Sequence, residues 1–252
     1  MIDRKIFFDC VRKNPFDGSL TQGQVIGMEA ILAEWERRSS FTDPRWLAYM
    51  LATVFHETAR KMTPIHEYGS KAYFDKRYGP RTSVGKMLGN TQPGDVSRFH
   101  GRGYVQLTGR RNYIKAGQEL GTDLVTNPDR ALEPTLAAAI MFLGMSEGWF
   151  TGKKLSDYIS GSKADFTNAR RIINGTDKAT TIKGYALAFL DALDDAWIDA
   201  PLEPVRPMPK PEPIPAPPSP PDDPMPVPEP EPIPASAGFW ARLLAALRAL
   251  FG

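Results

Sequence analysis

Two glutamates ten residues apart, Glu57 and Glu67, are the residues whose setting in this chain could carry proton-transfer chemistry. Glu57 lies in the run TDPRWLAYMLATVFHETARKMTPIHEY (residues 42–68), in which Trp46, Leu47, Met50, Leu51 and Val54 recur at helical spacing, and it falls inside that apolar stripe. A carboxyl on the apolar side of a helix, near its negative C-terminal end, is kept from ionising by desolvation and by the helix dipole. A proton donor needs such a place. Glu67 comes after Pro64, which should end or redirect the helix, so that it can face Glu57 from a loop. An ordinary reading stands beside this one, with Glu57 paired to Arg60 or Lys61 in a last helical turn. His56 and His66 are ten positions apart, so the four-residue spacing of a zinc HExxH site is absent, and His56 reads as a satisfied or substrate-facing histidine.

A second block, FHGRGYVQLTGRRNY (residues 99–113), offers neutral chemistry. Gly101 and Gly103 permit close backbone approach, YVQLT alternates like a short strand, and Gln106, Thr108 and Asn112 supply uncharged donors and acceptors. Such groups suit hydroxyls and N-acetyl amides. Between the two blocks, Tyr68, Tyr73, Phe74 and Tyr78 lie among turn formers with no sustained period. That pattern fits either a loop that stacks on sugar faces or one that packs its own rings, with Asp75 and Asp95 as its acids.

The elements that must position these groups are mostly helical. Asp43 is a good N-cap and Pro44 suits the first helical position, so the Glu57 helix starts there. Thr21 precedes an amphipathic helix in which Val25, Met28, Ile31, Leu32 and Trp35 recur. KAGQELG reads as a short helix, Asn127-Pro128-Asp129 as a turn, and Glu133-Pro134 opens an apolar helix through Leu143. FTNARRIING is a helical pattern stopped by Asn174-Gly175, and a last helix runs from Ala179 to Trp197. With YVQLT as its only strand-like segment, the chain is expected to be mainly α, with a single globular domain over 1–200.

From Pro201 the composition changes: 17 of the 24 prolines fall within 201–234. Residues 201–236 are expected to form an extended polyproline spacer, spanning about 100 Å at roughly 3.1 Å per residue. Residues 237–252, AGFWARLLAALRALFG, put Phe239, Trp240, Leu243, Leu244, Leu247, Leu250 and Phe251 on one arc with Arg242 and Arg248 outside it. That pattern predicts an amphipathic helix suited to an anionic membrane surface, too short and too charged to span. Residues 1–200 carry 27 Lys+Arg and 23 Asp+Glu. The small excess argues against nucleic acid and fits a polyanionic surface such as a bacterial wall. A single cysteine, Cys10, excludes an internal disulfide framework, and the N-terminus has no Sec-type signal pattern, which is the expectation for a protein made in the cytoplasm.

With these blocks placed, the sequence resembles the glycoside hydrolase family 19 catalytic domain, especially its short, loop-poor phage endolysins. The motifs FHETA (55–59), GRGYVQLTGRRNY (101–113), NPD (127–129) and RIINGT (171–176) occur in the family's order over about residues 20–197. The resemblance implies a lysozyme-like α+β fold and inverting hydrolysis of a β-1,4 bond between N-acetylated sugars. Glu57 takes the place of the acid, Glu67 that of the base, and Thr108 that of the hydroxyl that helps hold the water. Gln106, Asn112 and Asn174 hold sugar, with His56 and Tyr68 beside them as substrate-binding residues, and a family arginine of the last helix corresponds to Lys183. It implies no cofactor and no metal, a monomeric catalytic domain, and peptidoglycan glycan strands as substrate, with chitin as the alternative and a non-catalytic wall-binding protein as the competing class. An endolysin of this kind acts on the wall, in the periplasm, after release through a separate pore.

Overall fold

The computed structural model describes residues 1–198; the proline-rich spacer and the C-terminal amphipathic helix expected from the sequence lie outside the described residues. In chain order the helices are α1 (Arg4–Lys13), α2 (Gln22–Arg37), α3 (Pro44–Glu57), α4 (Lys71–Tyr78), α5 (Ser83–Met87), α6 (Asp95–Arg98), α7 (Arg110–Glu119), α8 (Pro134–Glu147), α9 (Leu155–Tyr158) and α10 (Ala179–Ala196). Two tight 3-10 turns, Pro128–Leu132 and Asn168–Ile172, complete the helical part. Among the described residues there are two small antiparallel pairs, β1 (Ile65–His66) with β2 (Arg102–Gly103) and β3 (Ile159–Ser160) with β4 (Lys163–Ala164). The fold is mainly α, as the sequence predicts.

The central element is α3. Asp43 caps it through its side chain to the Arg45 amide at 3.1 Å, and Pro44 begins it. Every residue from Leu47 to Phe55 is buried, so the helix is enclosed on all sides instead of resting on one stripe. Helix α10 lies along it, α1 packs on α10, and α2 lies across α3 and α8. Leu47, Met50, Leu51 and Val54 are fully out of water, and burying side chains of this size is worth about 1.5–3 kcal/mol each. The two ends of the domain close on each other: the Asp3 amide donates to the Ala196 carbonyl at 2.8 Å and the Ile198 amide to Met1 at 2.9 Å.

The structure departs from the sequence reading in five places. Helix α3 stops at Glu57, seven residues before Pro64, because Ala59 (φ 49°), Arg60 (φ 70°) and Met62 (φ 55°) turn left-handed. Thr58 holds that turn: its hydroxyl donates to the Val54 carbonyl at 2.7 Å and accepts from the Met62 amide at 2.9 Å. YVQLT is a turn, not a strand; Arg102 and Leu107 exchange backbone bonds across it, and Gln106 sits at φ 57°. Residues 68–100 carry α4, α5 and α6 instead of an irregular loop, α4 and α5 being capped by the side chains of Ser70 and Thr82. The FTNARRIING segment holds only a 3-10 turn, whereas the helix read at KAGQELG begins earlier, at Arg110.

Candidate active site

Glu57 is the last residue of α3. Its side chain is 5% exposed, and what remains of the residue's exposure belongs to the main chain at the helix end. The partner of its carboxyl is neither Arg60 nor Lys61. Arg170, 2% exposed in the 3-10 turn Asn168–Ile172, donates from Nη1 to Glu57 Oε1 at 2.5 Å and from Nε to the Asp177 carbonyl at 3.1 Å. Burial pushes the Glu57 carboxyl up; the Arg170 charge and hydrogen bond oppose that, and the negative charge of Asp177 adds to it. A group so poised keeps a proton more readily than a surface glutamate while remaining fixed in direction. Arg60 is engaged elsewhere, with Asp17 at 2.5 Å and the Pro15 carbonyl at 2.8 Å.

Glu67 is placed by the β1–β2 pair. Its amide donates to the Gly101 carbonyl at 2.7 Å, and the Gly101 amide donates back to Glu67 Oε2 at 3.1 Å. Oε1 accepts from the Tyr78 hydroxyl, at the end of α4, at 2.9 Å. A Cβ on Gly101 would stand 3.1 Å from Glu67 and 2.8 Å from Gln106 Oε1, so this approach requires glycine. Burial raises the Glu67 carboxyl to about 7, against the pull of the Gly101 amide, the Tyr78 hydroxyl and the Arg77 charge. Tyr78 itself is pushed far up by burial and by Glu67. The other acids of this region are committed: Asp75 to Lys71 at 2.6 Å, and Asp95 to Arg110 and to the Thr91 and Gln92 amides.

The neutral groups lie on the Glu67 side. Gln106 Nε2 donates to the Ile65 and Gly103 carbonyls, both at 3.2 Å; Thr108 Oγ1 donates to the Gln106 carbonyl at 2.9 Å; Asn112 Nδ2 donates to the Thr108 carbonyl at 2.8 Å. Each donor is thus tied to backbone, which fixes the acceptor oxygens. On the Glu57 side, His56 is half-buried, and burial followed by the Arg170 charge lowers it to about 4. It is neutral at ordinary pH. Asn174 is buried just after Arg170, its amide donating to the Arg170 carbonyl at 2.9 Å. Tyr68 is 68% exposed. Lys183 is exposed on α10, and the cation on Glu57 is Arg170.

Two further groupings escaped the sequence reading. Arg102, 5% exposed, joins three motifs: it donates to Asp129 Oδ1 at 2.7 Å, to the Tyr113 hydroxyl at 3.0 Å and to the Arg98 and His100 carbonyls. NPD is therefore a strut for the Gly101 loop more than a turn. His100 donates from Nδ1 to the Ser97 carbonyl at 2.7 Å, which leaves Nε2 to accept from His66 Nδ1 at 3.1 Å. The His100 ring also stacks on Phe74, whose ring stacks on Tyr78. The rings of the 68–100 region thus mostly pack on one another.

Part of the chain matches a known family in sequence. The model of glycoside hydrolase family 19, described as chitinase class I, matches residues 39–155, a span that includes Glu57, Glu67, Gln106, Thr108 and Asn112. The acidic 27 kDa endochitinase of Solanum lycopersicum is 64% identical over 33 residues, 13% of each chain, and the acidic endochitinase pcht28 of Solanum chilense is 37% identical over 79 residues, 31% of each. The chain thus spans less than a third of the length of these curated relatives. Chitinase C from Streptomyces griseus HUT6037 is similar in structure at a TM-score of 0.49 and 21% identity, over 77% of this chain and 92% of that one. The match runs through the buried glutamate of FHETA and the GRGYVQLTGRRNY loop, and it supports a glycoside hydrolase family 19 catalytic domain over residues 39–155.

Proposed function

We propose that this domain hydrolyses the β-1,4 bond between N-acetylated sugars with inversion, and that its substrate is the glycan of bacterial peptidoglycan. The observation that carries the reading is a pair of buried carboxyls held in different ways. Glu57 is fixed by Arg170 at a helix end, and Glu67 is fixed by a hydroxyl and a backbone amide, both raised by burial. In the reaction, protonated Glu57 gives its proton to the glycosidic oxygen as the bond to the anomeric carbon breaks. Ionised Glu67 takes a proton from the water that attacks that carbon from the opposite face. The reading requires the two carboxyls to stand about 6.5–9.5 Å apart. Thr108, whose proton is spent on the Gln106 carbonyl, accepts a hydrogen bond from that water. Gln106, Asn112, Asn174 and His56 serve the sugar amides and hydroxyls, and the exposed Tyr68 ring stacks on a sugar face.

Chitin is the second reading, favoured by the names of the plant relatives, which are endochitinases. The cationic balance of residues 1–200 and the cationic segment 237–252 favour the wall polymer. Purified sacculi and a soluble N-acetylglucosamine hexamer, digested in parallel and read by mass spectrometry, separate the two. Muropeptides with new reducing ends are expected; cleavage of the hexamer alone would move the substrate to chitin. In the same reading residues 237–252 hold the enzyme at an anionic membrane, so truncation after Ala200 should weaken vesicle binding while hydrolysis of exposed wall continues.

A further inference from the structure

Arg77 precedes Tyr78 on α4 and is half-buried, with its guanidinium 4.7 Å from the centroid of the Tyr73 ring. Its Nη1 is buried and meets no acceptor. A buried donor left unmade costs about 1–3 kcal/mol, and such an orphan calls for an explanation. The acids around it are already engaged: Asp75 with Lys71, and both oxygens of Glu67 with Tyr78 and Gly101. Arg77 and Tyr73 share one face of α4 with the guanidinium over the ring, and a guanidinium fork suits a planar, two-oxygen acceptor. The Arg77 charge acts on Glu67, which the Tyr78 hydroxyl holds, so this cation lies within electrostatic reach of the carboxyl at which water is activated.

The two candidate polymers differ in one respect that an arginine can read. A chitin chain presents only hydroxyls and acetamides. A peptidoglycan strand adds carboxylates, from its stem peptides or, where these are removed, from the lactyl ether on alternate sugars. We propose that Arg77 binds a carboxylate of the substrate next to the cleavage point and that this contact favours peptidoglycan over chitin. The proposal rests on the glycosidase reading above and names the residue that sets its substrate class.

The test modifies both protein and substrate. Kinetics are measured for wild type, Arg77→Gln and Arg77→Lys on native sacculi, on sacculi whose carboxylates have been amidated with a carbodiimide, and on the N-acetylglucosamine hexamer. On native sacculi Arg77→Gln should lower kcat/KM about ten-fold more than on the hexamer, chiefly through KM, the size of one charge-assisted hydrogen bond. Arg77→Lys should recover part of that loss. Amidated sacculi should cost the wild type a similar factor, a result that needs no variant to fold, and the Arg77→Gln deficit should vanish on them. Strands stripped of stem peptides by an amidase keep only the lactyl carboxylate; a deficit retained there assigns the lactyl group, and one lost there assigns the stem. Equal losses on all substrates would overturn the proposal, since Arg77 would then act through Glu67. A wild type that cleaves the hexamer and leaves sacculi intact would overturn the peptidoglycan reading along with it.

Discussion

Replacing Tyr78 by Phe removes a single oxygen and leaves the ring in its stack on Phe74, so its effect isolates the hydroxyl that holds Glu67. That hydroxyl donates at 2.9 Å to a carboxyl that is 7% exposed. A hydrogen bond to a charged group contributes about 1.5–3 kcal/mol. Protonated Glu67 keeps part of the bond, so the low end applies, close to the 1.4 kcal/mol of about one pKa unit. The hydroxyl favours the ionised form; without it Glu67 should move up from about 7 to about 8. A base works only when ionised, so the acid limb of kcat/KM should shift to higher pH by about one unit. At pH 6 the variant should be about ten-fold slower than wild type and at pH 9 nearly equal. Reducing-end release measured from pH 5 to 10 with one soluble substrate gives both limbs. An acid limb that stays in place, or moves down, would refute the assignment of Glu67 as the group that must lose its proton.

Glu57→Gln should abolish hydrolysis while circular dichroism stays that of the folded protein, because the amide oxygen can still accept from Arg170, although thermal stability should fall as the Arg170 charge loses its partner; near wild-type turbidity clearance would remove Glu57 from the chemistry. Glu67 is raised in the fold, so its contribution to stability is complete below its ordinary 4.5 and is lost as pH rises through about 7. Glu67→Gln should therefore be more stable than wild type at pH 8, by up to about 3 kcal/mol, with the gap closing below pH 4.5 in urea unfolding. Arg170→Met leaves Glu57 buried without its cation and should cost about 3–5 kcal/mol at pH 8, less in acid as Glu57 takes up a proton; a loss independent of pH would mean that packing, not charge, is what Arg170 supplies.

What the sequence shows and what it hides divide by range. The start of α3 is legible because Asp43 and Pro44 act on their own neighbours; α2 is legible from Thr21 and its apolar period, α8 from Pro134 and its apolar run, and α10 from its apolar period. The apolar placement of Glu57 is legible for the same reason. Its partner is not: Arg170 reaches it across 113 residues of chain, and nothing in NARRIING distinguishes that arginine from Arg171, which is exposed. The doubled arginine beside ING was the available signal, and Arg60 and Lys61 masked it by offering Glu57 a local cation. The end of α3 was hidden because Ala59, Arg60 and Met62 are poor left-handed residues by type, and Thr58 overrides their preference with two hydrogen bonds. Gln106 behaves alike, its left-handed turn being anchored by bonds to Ile65 and Gly103 that alternation in YVQLT cannot report.

The joined ends of the domain bear on how the enzyme comes into being. Met1 meets Ile198 across 197 positions, and α3 gains its main neighbour only when α10 docks. A chain made from the N-terminus therefore offers the ribosome a α3 whose apolar sides lack their cover until the last helix has emerged. Until then Glu57 lacks both the burial that raises its carboxyl and the Arg170 partner that fixes it. On the proposed assignment of Glu57 as acid, the buried setting that the chemistry needs arises in the same event that completes the fold.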